Sequence, residues 1–155
     1  MLDVRQFSHF SEFSEALKRR FFSTGGKMQA TVKWLDGVAF VGESGSGHSF
    51  VLDGDPTSGG RNIGVRPMEA ILIGMGACAA FDVVTILKKS RADVVDCWVE
   101  LEADRAETIP KVFARINMHF VVVGRSLKVA QVERAVQLSA TKYCSATAMM
   151  EHTAK

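Results

Sequence analysis

The sequence has no CxxC pair, and its three cysteines, Cys78, Cys97 and Cys144, are odd in number and far apart. Its four histidines, His9, His48, His119 and His152, form neither HxxxH nor HExxH. A zinc site legible in sequence needs ligands clustered at short spacing, so no metal site is expected. Cysteine is also too sparse for a disulfide-dense secreted scaffold. The N-terminus lacks the apolar region, about 7–15 residues long, of a secretory signal. The longest uncharged run, Ala70–Phe81, is twelve residues, short of the roughly 20 that span a bilayer. These absences predict a soluble, cytoplasmic protein without a membrane partner. In such a reducing compartment thiols rest reduced and a functional disulfide is transient.

A dominant charge is missing too. The net charge is +2, and residues 1–27 hold all of it, with five basic groups (Arg5, Lys18, Arg19, Arg20, Lys27) and three acids (Asp3, Glu12, Glu15). The rest carries 14 of each sign. No basic face is left to track a phosphate backbone, which argues against nucleic acid as a partner.

What is present is an ordinary globular chain of 155 residues, 47% hydrophobic and 23% charged. That is enough for one domain with a real core. Phe7, Phe10, Phe13, Leu17 and Phe21 fall at helical spacing. Residues 1–27 therefore read as an N-terminal extension, an amphipathic helix over 7–22 followed by a Ser23–Lys27 linker. The body, 28–155, opens as a strand meander: Gln29–Trp34, Val38–Val41 and Phe50–Leu52. Its punctuation is Asp36-Gly37, Gly42–Gly47 and Asp53–Gly60, all read as turns.

Pro67 then opens a long helix to Lys89, with Glu69 suited to its first turn. Between Ala70 and Leu87 its only charge is Asp82. A helix apolar nearly all round must be covered on most sides. A chain of this size can hardly do so alone, so a second subunit is expected against it. Gly74, Gly76, Ala77, Ala79 and Ala80 would permit close approach there. Two alternating strands follow, Trp98–Arg105 and Phe113–Val123, linked by Ala106–Val112 as an antiparallel pair. A second helix is predicted to begin near Ser126 as N-cap. The order β-β-β-α-β-β-α mixes meanders with helices, which makes the fold class α+β rather than α/β.

Two motifs could carry chemistry. Gly74–Ala79 matches G-x-G-x-x-G/A, but a dinucleotide site needs a strand before it and a βαβ series after it, and a hairpin follows instead. The other is the cysteines. Free cysteine often only fills space. Cys78, however, stands beside small residues that leave room for a ligand, and Cys144 stands where Ser145 could restart a helix whose N-terminus favours a thiolate. Cys97 begins a strand beside Trp98 and reads as structural.

Pro67-Met68-Glu69 followed by Ala70–Cys78, then Asp82–Lys88, Asp93–Cys97 and Lys142–Ser145, resembles the OsmC/Ohr family. That family comprises osmotically inducible protein C and the organic hydroperoxide resistance proteins. The likeness runs from about Met28 to His152, and within the family the pattern resembles the YhfA-like branch. The resemblance implies an OsmC-like fold of curved antiparallel sheets with two central helices, in an intertwined homodimer. It further implies a thiol peroxidase acting on small organic hydroperoxides in oxidative-stress defence. Cys78 would be the peroxidatic thiol and Cys144 the resolving one. An external dithiol or lipoyl-type reductant would close the cycle, with no bound cofactor.

The sequence departs from the family at several points. Ohr-type members place a Glu ten residues before the first Cys, where this chain has Met68; Glu69, at nine, is the OsmC-like alternative. The family Arg comes from the early meander, where Leu35–Val38 has none, and Arg66 is the nearest basic candidate in sequence. Ser145 replaces a Pro that often follows the second Cys. Relatives usually run one strand beyond residue 152, so a final strand is expected to be lacking. The departures at Met68 and Leu35–Val38 support an alternative: a non-catalytic dimeric protein of this fold that binds a small apolar ligand at its interface.

Overall fold

The computed structural model describes residues 27–154. The helix expected over 7–22 and most of its linker lie outside the described residues. Two compact units divide between Pro67 and Met68.

The first unit is the meander. Strands β1 (Ala30–Asp36), β2 (Ala39–Ser44) and β3 (Ser49–Leu52) form an antiparallel sheet in the order β1-β2-β3. The Asp-Gly signal is off by one residue. Asp36 pairs with Ala39, so the two-residue loop is Gly37-Val38, and Gly37 supplies the positive φ of 50° that the turn requires. The run Gly42–Gly47 is not all turn. Gly42 is buried within β2, where the side chains of Leu52 and Phe50 stand 3.4–3.5 Å from the place a Cβ would take. Only the stretch after Ser44 turns, closed by Gly47 N–H donating to Ser44 O at 2.9 Å.

Beyond β3 the buried Asp53 organises the Asp53–Gly60 loop and the residues after it. Its carboxylate accepts backbone N–H bonds from Gly54 (2.8 Å), Arg61 (2.8 Å) and Ile63 (3.2 Å). Burial pushes this carboxyl up, but the three N–H donors and Arg61 outweigh it and hold it below the ordinary carboxylate range. Asp55 caps a 3-10 turn, Pro56–Ser58. The Thr57 hydroxyl and N–H, then Arg66, keep its carboxyl low as well.

The second unit begins with helix α1, Pro67–Lys89. Within one chain it buries a single stripe, Met75, Ala79, Val83 and Leu87, four residues apart, with Gly76 alongside. Gly76 makes its close approach inside the chain rather than to another subunit. A Cβ there would lie 2.6 Å from Leu101 Cδ1. Among the described residues nothing lies within 4 Å of the Gly74 Cβ position, and Ile73 and Phe81 are 55% and 71% exposed. The twelve-residue uncharged run understates this helix. With Asp82 included, its most apolar 18 residues have a mean hydropathy of 2.2, so by length and composition alone it could cross a membrane. The Gly74–Ala79 motif sits in mid-helix, with helical residues before it instead of a strand, which removes the geometry of a dinucleotide turn.

Strands β4 (Asp93–Arg105) and β5 (Phe113–Arg125) form a long antiparallel ribbon. β4 starts five residues before the predicted Trp98, because a bulge at Val95 interrupts the alternation that reveals the rest. Past the bulge, Cys97, Val99, Leu101 and Ala103 are half-buried on one face. Helix α2 spans Val129–Leu138. Its N-cap is Lys128 rather than Ser126, which adopts a positive φ of 52° in the connection. A π-helical turn, Ser139–Tyr143, and a short helix α3, Ser145–Met150, complete the unit. Val83, Leu87 and Ala135 are its fully buried centre, packed by Ile86, Val94, Phe120, Val122, Val132 and Val136.

Candidate active site

Cys78 and Asp82 stand four residues apart on α1, and so on one face of it. The π turn after α2 delivers Cys144 to the same place. Cys144 N–H donates to Ser139 O at 2.9 Å, five residues back, and Ser139 Oγ donates to Ala79 O at 3.2 Å. Ser139 is fully buried and ties the turn to α1 one residue beyond Cys78. The result gathers Cys78 Sγ, Cys144 Sγ and a carboxylate oxygen of Asp82, all within 4.8 Å of one another.

Cys144, 2% exposed, is the N-cap of α3, and its sulfur accepts the Thr147 N–H at 3.4 Å. Sulfur fills the capping role that oxygen usually takes. The neighbouring Ala146 N–H donates to Cys78 and draws its thiol down. Against that act the hydrogen bond and charge of Cys144, burial, and the charge of Asp82, and the thiol ends above its ordinary range. The first turn of α3 thus offers one N–H to each sulfur, while the only carboxylate of the group opposes ionisation.

The remaining candidates come from other stretches of the chain. Glu69 is in the first turn of α1, nine residues and about 13 Å of helix rise before Cys78. Met68 precedes it. Arg66 belongs to the first unit and pairs with Asp55 at 2.7 Å. Cys97 is half-buried in β4, where it pairs with Val122, and burial, then Asp96, pushes its thiol up. The site also holds residues that sequence reasoning missed. Asp82 had left a signal: a lone charge in an apolar helix, one turn after a cysteine. Ser139, Ala146 and Thr147 left none, because a backbone turn puts them there.

A helix-borne thiol facing a second thiol at the start of a short helix, in a unit with a long antiparallel ribbon, marks the class of OsmC-like proteins. The profile of that family, described as "OsmC-like protein", matches residues 59–155, and the chain belongs to it. Among its relatives is protein YhfA of Escherichia coli K12, 53% identical over 124 residues that cover 80% of this chain and 90% of YhfA. The crystal structure of a hypothetical protein from Aquifex aeolicus VF5 is 30% identical, with a TM-score of 0.73 over 84% of this chain and 92% of that one. An organic hydroperoxide resistance protein OsmC from Legionella pneumophila shares the fold at 16% identity, with a TM-score of 0.65 over 86% and 95% of the two chains.

Proposed function

We propose that this protein is a dithiol peroxidase that reduces small organic hydroperoxides. The observation that carries the reading is the pair Cys78 and Cys144, whose sulfurs lie within 4.8 Å of each other, with Cys144 capping α3. Family membership and the fold shared with organic hydroperoxide resistance proteins support it. The Cys78 thiolate attacks the terminal peroxide oxygen and the O–O bond breaks. The sulfur becomes a sulfenic acid, and the departing alkoxide takes a proton to leave as alcohol. Cys144 then attacks that sulfur and expels water, leaving a Cys78–Cys144 disulfide. A dithiol reductant, of lipoyl type or similar, restores both thiols by two exchanges. Apolar groups on the substrate gain burial, which favours organic over hydrogen peroxide.

The Ala146 N–H takes the part that a cation plays in faster thiol peroxidases, and Asp82 works against it. The rate is therefore modest near neutral pH. We assign Arg66 and Glu69 no step. The exposed stripe of Ile73, Ala77 and Phe81 on α1 lies against a second copy in a homodimer, and the chemistry takes place in a reducing compartment such as the cytoplasm.

The raised Cys78 thiol also favours a second reading, a dimeric protein that binds an apolar ligand without turnover. Intact mass after one equivalent of cumene hydroperoxide separates the two. Loss of two hydrogens shows the disulfide, gain of one oxygen a stalled sulfenate, and an unchanged mass removes the peroxidase reading.

A further inference from the structure

Among the described residues, the groups that act on Cys78 are the Ala146 N–H, Cys144 and Asp82, and no cationic side chain is among them. Two thiols and a carboxylate, half-buried or buried, converge with their donor atoms within 4.8 Å. Deprotonating both thiols would leave three negative charges together, which burial does not tolerate without a counter-charge. Two thiolates and one carboxylate are a donor set for a borderline-soft divalent ion. In a tetrahedral zinc site such ligands stand roughly 3.6–3.8 Å apart, so a small side-chain rotation closes this cluster around an ion.

The surroundings also suit one. Two of the ligands are held from outside: Cys144 by the Thr147 N–H at 3.4 Å and Asp82 by Ser139 Oγ at 3.5 Å. Such contacts fix ligand orientation. Thr147 Oγ1, on a residue 6% exposed, has no hydrogen-bond partner among the described residues. It belongs to the turn that holds Cys144, and a water completing the tetrahedron would suit a polar atom of this kind.

We propose that Cys78, Asp82 and Cys144 bind a zinc-class divalent ion in the reduced protein, with water as fourth ligand. The ion site rests on this geometry alone; its link to redox chemistry rests on the peroxidase reading. On that link, one organic hydroperoxide and two protons convert the two metal-bound thiolates to a disulfide, alcohol and water. The site loses both sulfur ligands and the ion departs. Ion binding and peroxide reduction thus exclude each other at one pair of sulfurs.

The test uses the reduced, metal-free full chain and Co2+ as the probe under anaerobic conditions. One Co2+ per chain is expected to give a thiolate-to-cobalt charge-transfer band and the intense visible bands of a tetrahedral site, both removed by equimolar Zn2+. Cys78→Ser and Cys144→Ser lose the charge-transfer band. Cys97→Ser keeps it. Asp82→Asn binds at least tenfold more weakly, with circular dichroism showing each variant folded. Because two thiol protons leave, affinity falls about a hundredfold for each pH unit lowered. No band with the folded parent, or a band that survives in Cys78→Ser, overturns the proposal. Peroxide consumption by the metal-free protein is measured separately: cobalt binding without turnover removes the peroxidase reading and leaves the ion site standing.

Discussion

Cys78 is pulled two ways. An N–H at the start of α3 favours its thiolate, while the second thiol, burial and Asp82 favour the thiol. The three cysteines should therefore differ in behaviour. Cys78→Ser abolishes peroxide consumption, since only a sulfur nucleophile cleaves the O–O bond at a useful rate. Cys144→Ser consumes about one equivalent and stops at a sulfenic acid, which over-oxidises as peroxide rises. Cys97→Ser turns over normally. Peroxide assays on the three variants check this, and parent-like consumption by Cys78→Ser sinks the assignment. The pH dependence follows from the direction of the shift. With the thiol raised, the rate climbs with pH, about tenfold per unit while the thiolate is the minor form. Asp82→Asn removes a negative neighbour, lowers the thiol and moves the rising limb to lower pH. A limb that stays in place would show that Asp82 does not act on Cys78. At this scale the cysteines are legible because the residue type is rare, whereas the signal of the lone Asp82 goes unread. The sequence is silent where the backbone supplies the chemistry, as with the N–H groups of Ala146 and Thr147.

Among the elements, α1 could be read almost to its ends, because Pro67 and Lys88-Lys89 mark both termini and no charged residue stands between Glu69 and Asp82. Its use of small residues could not. Small residues permit close approach on any side, and only the fold reveals that Gly76 meets Leu101 while Gly74 meets nothing within 4 Å among the described residues. Gly76→Val should accordingly overpack the α1–β4 contact and cost about 1–3 kcal/mol, measured by chemical denaturation; an unchanged midpoint would refute the close approach. The segment after β5 is legible only in part: Val132 and Val136 do pack on the core, and a helix does restart at Ser145. Val132, Val136, Ala140 and Cys144 keep a spacing of four, as if one helix ran through them. The π turn breaks that phase after Leu138, and Ala135 is the residue fully buried instead.

For the whole molecule, α1 poses a question that one chain does not answer. Ile71, Ile73 and Phe81 are 43%, 55% and 71% exposed on a helix of high hydropathy. Contiguous apolar surface of this kind is normally covered. In the proposed homodimer Ala77→Glu places a charge in the covered face, and because Ala77 is exposed within one chain the fold of that chain survives. Light scattering should then show a monomer with the parent's helix content. A dimer of undiminished stability would assign the interface to another face. Forming the disulfide closes a loop of about 66 residues, which in the chain-entropy account is worth up to about 4 kcal/mol. The oxidised protein should melt higher than the reduced one in calorimetry, and equal melting would mean that strain in the bridge cancels the gain.

The turn from Ser139 to Tyr143 carries one residue more than an α-helical turn would use. It is a spare link in the strap that brings Cys144 to Cys78. Two sulfurs resting within 4.8 Å of each other must draw in to about 2.05 Å to join. Letting that link slip from π to α register passes about 1.5 Å of chain along the axis, slack of the order the closing bond requires. Deleting Thr141 takes up the slack for good and swings Cys144 by about 100° around the strap. Such a protein should keep its helices and still form a sulfenic acid at Cys78, yet its two sulfurs would no longer meet.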